Sequence, residues 1–190
     1  MNRTARRHDG FYLRFGLGPA LGRVASKGTY DIGQTETTFA GWGPAYELLF
    51  GGTPGHGFVL GGGLVGQDIP DPEVTHRSNG AATTTETADD ETLGVVVIGL
   101  FGDWFPTPKG GAHLGGMIGP GWIGLAGDDG LSSAGIGGAV WTGYDFWVGD
   151  QWSLGPEARF IAVRAEREVL RVTTRDTAVS FELLLSALYH

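Results

Sequence analysis

The sequence predicts an all-β chain that closes as an eight-stranded antiparallel transmembrane β-barrel, with short periplasmic turns and long external loops. Three observations carry this expectation. Segments of about ten residues or more alternate between large apolar residues and small or charged ones. The connections between them are by turns long and short. Glycine accounts for 35 of 190 residues, against a usual share of about 7%, and no long segment has helical periodicity and caps. An interior glycine costs a helix about 1 kcal/mol relative to alanine, so this composition disfavours a helical bundle.

Composition also excludes other classes. Glycine has no strict three-residue period, which excludes collagen. Hydrophobic residues make up 41% and aromatics 11%, too much for a disordered chain. The chain has no cysteine, hence no disulfide framework, thiol catalysis or cysteine zinc site. A net charge of −8 argues against a nucleic-acid partner. The longest apolar run, LGVVVIGLF at 93–101, is far short of the roughly 20 residues of a spanning helix. The length suits one domain over 11–190. Residues 1–10 read as an N-terminal tail or signal remnant, in which Arg3, Arg6 and Arg7 form a basic region with no apolar core after it.

Each strand follows from period-two alternation. In 11–24, Phe11, Leu13, Phe15, Leu17 and Leu21 share one face, opposite Tyr12, Arg14, Gly16, Gly18 and Ala20. In 39–50, Trp42, Tyr46, Leu48 and Phe50 oppose Gly41, Gly43, Ala45 and Glu47. Segments 58–66 and 92–105 come next. In 111–123, Ala112, Leu114, Ile118 and Trp122 oppose His113, Gly115, Met117, Gly119 and Gly121. In 134–148, Ile136, Val140, Tyr144 and Phe146 oppose Gly137, Trp141, Gly143 and Asp145. In 152–164, Leu154, Ala158, Phe160 and Ala162 oppose Glu157, Arg159 and Val163. In 177–190, Val179, Phe181, Leu183, Leu185 and Tyr189 oppose Ser180, Glu182, Leu184 and Ser186. An even number of long strands suits a closed membrane barrel.

Alternation alone does not say which face is inside, because a soluble lipocalin-like barrel turns its apolar face inward. Three features favour the membrane reading. The connections 25–38, 67–91, 124–133 and 167–176 are long and polar, whereas 51–57, 106–110 and 149–151 are short, and the two kinds alternate strictly. That asymmetry is the one expected of external loops and periplasmic turns. Aromatics gather beside short turns or chain ends, and Phe11, Tyr12, Trp104, Phe105, Trp147, Trp152 and Tyr189 are expected to form an interfacial girdle. The mid-strand charges Arg14, Glu47, Asp145, Glu157, Arg159 and Glu182 all lie opposite the apolar faces. They are expected to form a paired lumen network, since buried charges must pair. His113 shares that face with Met117 and is expected as a hydrogen-bond partner in the lumen.

Three stretches carry a family likeness: GLFGDWFPTPKGGAHLGG at 99–116, GYDFWVGDQWSLGPEARF at 143–160 and AVSFELLLSALYH at 178–190. They resemble the small eight-stranded outer-membrane β-barrel families of Gram-negative bacteria, the OmpA/OmpX/OmpW-like group. The last resembles the C-terminal insertion signal of such proteins, with Tyr189 penultimate and His190 after it. The resemblance implies residence in the outer membrane and insertion by the barrel assembly machinery. It also implies a structural, adhesive or narrow solute-contact role without a cofactor.

Few residues point to chemistry. His76-Arg77-Ser78-Asn79 resembles the His-x-Ser-Asn motif of lipid A 3-O-deacylases. It supplies a base and a nucleophile, with Glu86 or Glu91 as orienting acid. Against this alternative stand its mid-chain position and its loop-like surroundings. Acidic residues Asp68, Asp71, Glu73, Asp89, Asp90, Glu91, Asp128 and Asp129 read as a solvated face rather than a cation site, and no metal is expected. Arg164, Arg167, Arg171 and Arg175 surround the last external connection, where they suit the phosphates of lipopolysaccharide. The expected function is non-enzymatic, in contact with outer-membrane lipid and lipopolysaccharide and compatible with a monomer. The alternatives are the hydrolase and a soluble lipocalin-like binder.

Overall fold

The computed structural model describes residues 10–30, 33–78, 84–107, 109–126, 132–169 and 172–190. Eleven strands follow in chain order: β1 Gly10–Tyr30, β2 Gly33–Gly55, β3 Phe58–Pro70, β4 Glu73–Ser78, β5 Thr85–Thr87, β6 Thr92–Trp104, β7 Ala112–Ala126, β8 Ser132–Tyr144, β9 Phe146–Trp147, β10 Trp152–Val169 and β11 Val172–Tyr189. Eight of them close a barrel in the order β1-β11-β10-β8-β7-β6-β3-β2, with β2 pairing back to β1. All of these pairings are antiparallel.

The register sets the tilt. Starting at Tyr12, the pairings run through Gly51, Gly61, Phe101, Met117, Ala139, Ile161 and Ser180 and return to Gly22. One circuit therefore advances the first strand from Tyr12 to Gly22. Such a stagger inclines the strands and leaves an interior just wide enough for side chains.

Alternation sorts the surface. Leu17, Leu21, Trp42, Leu100, Ile118, Ile136, Val140, Phe181, Leu183 and Leu185 are exposed on the outside, while Arg14, Glu47, Asp103, Glu157, Arg159 and Glu182 are buried within. This is the reverse of a water-soluble barrel. Glycine makes the tight interior possible. A methyl group at Gly115 would collide with the Trp141 indole, one at Gly16 with the Glu47 carboxylate and one at Gly22 with the Gln67 amide.

The connections differ from the expected pattern at one end. At the short-turn end, β2 and β3 are joined through His56 and Gly57, both with positive φ (56° and 72°). At the other end, most of the predicted loops are strand. β1 and β2 run on as a hairpin to Tyr30 and Gly33, and β10 and β11 extend to Val169 and Val172. Segment 67–91 holds the hairpin of β4 and β5, with β4 paired to the extension of β2. These stretches are mostly polar, with a few apolar residues such as Ile69, Val74 and Val169, and show no sustained alternation. They are rich in threonine, whose β-branched side chain suits a paired strand once a neighbour is in place.

The outward apolar belt gives a direct expectation. Leu183 sits in the middle of the outer face of β11, 53% exposed. Leu183→Arg is expected to destabilise the barrel in lipid vesicles by about 2–4 kcal/mol, read from urea unfolding.

Candidate functional site

Two arginine-centred clusters fill the lower and middle lumen, and all of their charged members are buried. Arg14, on β1, holds the first. Its Nη1 donates to Glu157 Oε2 at 2.8 Å and lies 3.1 Å from Asp103 Oδ2, and its Nη2 lies 3.4 Å from Asp145 Oδ2. The Tyr12 hydroxyl donates to Asp103 Oδ2 at 2.9 Å, and its ring lies beneath the guanidinium at 5.4 Å. His113 Nδ1 meets Asp103 Oδ1 at 3.2 Å, and Phe105 stacks on the imidazole at 5.2 Å.

Arg159, on β10, holds the second cluster. Its Nε donates to Glu182 Oε2 at 2.6 Å, its Nη1 to Glu47 Oε2 at 2.8 Å and its Nη2 to the Tyr46 carbonyl at 3.0 Å. Ser180 Oγ donates to the other Glu182 oxygen at 2.8 Å. Register explains the meeting: Arg159 pairs directly with Glu182 on β11, and Glu157 with Gly143 on β8, two residues before Asp145. The two arginines therefore share five carboxylates, with Tyr12, His113 and Ser180 completing hydrogen bonds.

All six residues expected in the lumen network face inward and join one cluster or the other. Asp103 was missing from that expectation. Its position was legible, because it has the parity of Val95, Val97 and Phe101 and is opposite to Leu100 and Trp104.

The girdle needs correction at three positions. Phe11, Trp104 and Trp152 point outward. Tyr189 packs beside them, 6.3 Å from Phe11 and 5.1 Å from Trp152. Tyr12 and Phe105 are instead fully buried in the lumen, at 0% exposure. Trp147 is half-buried against His190, at 5.2 Å. Proximity to a turn suggested all three, but parity decides: Tyr12 has the parity of Arg14, Phe105 that of Asp103 and Trp147 that of Asp145.

The basic run also divides. Arg164 faces outward, Arg175 Nε donates to Glu166 Oε1 at 3.0 Å, and Arg167 turns into the mouth of the barrel rather than toward lipid. Arg171 lies outside the described residues.

The hydrolase motif is assembled only in part: Glu86 stands beside His76, but Ser78 does not. His76 lies on β4, where its Nδ1 meets Thr37 Oγ1 at 3.0 Å and its Nε2 lies 3.4 Å from Glu86 Oε1. Ser78 does not join this group, because residues two apart on an extended strand stand roughly 6–7 Å from each other. Asn79 lies outside the described residues. Of the acidic residues, Asp71 accepts the Asp90 N–H at 2.9 Å and donates its own N–H to the Glu91 carbonyl at 2.8 Å, which stitches β3 to β6. Asp128 and Asp129 lie outside the described residues.

No known family model matches the sequence, and no curated protein matches it. Solved structures do. Neisserial surface protein A is 16% identical, with a TM-score of 0.57 over 95% of this chain and 96% of that one. The outer membrane protein OprG from Pseudomonas aeruginosa is 10% identical, with a TM-score of 0.58 over 98% of this chain and 99% of that one. The chain thus has the fold of the small outer-membrane β-barrels.

The two arginines predict a sharp contrast. Arg159→Met leaves Glu47 and Glu182 buried without a cation and is expected to cost about 3–5 kcal/mol. Arg175→Met, which breaks an exposed pair, is expected to cost no more than about 1 kcal/mol. Urea unfolding in vesicles measures both.

Proposed function

We propose that the chain is a closed barrel of the outer membrane that works through its projecting hairpins, as a structural or adhesive contact surface rather than as an enzyme or a pore. One observation carries this reading: among the described residues, buried side chains fill the lumen from the short-turn end through the apolar belt. Phe105, Tyr12 and Phe101 lie toward the short-turn end. The two charge clusters follow, and then apolar side chains such as Val65, Val97, Ile161 and Val163. Ions crossing such an interior would have to displace paired charges and packed side chains together.

The membrane location rests on the fold and on the apolar belt. With the short turns in the periplasm, β1–β2, β4–β5 and β10–β11 stand outside the cell as paired strands that resist collapse onto the surface. Arg23, Arg77 and Arg164 face outward on this side, where they suit lipopolysaccharide phosphates. The alternating last strand, ending at Tyr189, suits recognition by the barrel assembly machinery.

The closed lumen is tested in planar bilayers. The refolded protein is expected to insert without stepwise conductance above baseline. Reproducible ion-conducting steps would overturn the closed-barrel reading.

A further inference from the structure

A cavity of about 290 Å³ lies above the apolar filling of the lumen, at the long-hairpin end. We propose that it binds a small zwitterion with an apolar body, of the chemistry of a free α-amino acid with a branched or aromatic side chain.

One wall is a polar arc set by register. Asp176 on β11 pairs with Ser26 on β1, Ser26 with Thr37 on β2, and Thr37 with His76 on β4. All four side chains line the cavity. His76 is fixed there by Thr37 and Glu86. Arg167 lines the same space. It pairs with Thr174, two residues before Asp176, and is therefore the diagonal neighbour of that carboxylate, at a backbone separation of about 7–8 Å.

These two opposite charges do not pair with each other, and neither has an ion-pair partner among the described residues. Asp176 is nonetheless buried, at 6% exposure. The Arg167 Nε is out of contact with solvent and without a hydrogen-bond partner. Arg167 is half-buried, and it and Asp176 line the cavity without a charged partner among the described residues, so both are open to a counter-charge from a ligand. Across the mouth, Leu93 on β6 with Ile123 and Leu125 on β7 form an apolar wall.

The chemistry of the occupant follows from this division. A carboxylate alone is drawn to Arg167 and repelled by Asp176. An amine alone meets the reverse. An ammonium and a carboxylate on one carbon span the gap between diagonal neighbours and answer both charges. The side chain on that carbon then lies against Leu93, Ile123 and Leu125. A volume near the lower end of the range for small-molecule sites suits a ligand of this size. The proposal goes beyond the contact role and does not depend on it, since a site above the filling can be loaded whether or not anything crosses.

The test is equilibrium dialysis of labelled L-phenylalanine against the protein in lipid nanodiscs, which avoids competition from free detergent. Saturable binding at one site is expected, with L-leucine as an effective competitor. Glycine, 3-phenylpropionate and 2-phenylethylamine are each expected to compete at least tenfold more weakly. Arg167→Gln and Asp176→Asn are each expected to weaken phenylalanine binding at least tenfold while keeping the heat-modifiable gel migration of a folded barrel. In Asp176→Asn, phenylpropionate should draw level with phenylalanine, and in Arg167→Gln phenylethylamine should do so. Absence of saturable binding would overturn the proposal. So would equal binding of phenylpropionate and phenylalanine by the unmodified protein, which marks a plain hydrophobic-anion site. These outcomes rest on the unmodified protein and hold even if a variant fails to fold.

Discussion

Within the apolar belt, a charge on a strand of this barrel has one tolerable direction, inward, and there it persists only if an opposite charge or a hydrogen bond answers it. Arg14 and Arg159 meet that constraint for five carboxylates drawn from β2, β6, β10, β11 and the segment after β8. Each arginine reaches across the lumen to strands far apart in sequence, as in the contacts of Arg14 with Glu157 and of Arg159 with Glu47. The clusters therefore report on closure itself: only a correctly registered barrel brings these groups together. A one-residue slip of any strand would turn its charges to the lipid and its leucines to the lumen.

The same constraint explains the glycine content. A narrow interior that must hold two arginines, Trp141, Tyr12 and Phe105 needs positions with no side chain on the facing strands. Gly16 beneath Glu47 and Gly115 beneath Trp141 supply them. Outside, the large residues that the interior excludes become an advantage, because the hydrocarbon solvates them. Size and polarity are thus sorted together by one period-two pattern, and the hairpins at one end are left free of the membrane's demands.

Much of this was legible in the sequence. The eight long strands and their two faces follow from alternation, and the inward direction of Arg14, Glu47, Asp145, Glu157, Arg159 and Glu182 follows once the connection lengths and the placement of aromatics and charges say which face meets lipid. The errors arose where another cue was allowed to override parity. Tyr12, Phe105 and Trp147 were assigned to the girdle for their nearness to turns, although their parity pointed inward. The hairpins beyond the belt were not legible for a different reason. Beyond the belt neither face must be apolar, so 25–38 and 167–176 carry no sustained alternation, and pairing with a neighbour makes them strands. The Thr37–His76 contact was equally hidden, since it depends on how β4 registers on β2, whereas Glu86 beside His76 was among the sequence expectations.

The account rests on the inside-out sorting of the barrel, and the tryptophans can test it directly. Trp42 is 67% exposed on the outer face and Trp141 is 2% exposed within the lumen. Variants retaining one of these as the only tryptophan, with the others changed to phenylalanine, would be folded into vesicles of ordinary and of brominated phospholipid. Strong quenching of Trp42 by the brominated chains, with Trp141 left bright, is the predicted result. Quenching of Trp141 to the same degree, or a Trp42 insensitive to bromine and open to aqueous iodide, would contradict it.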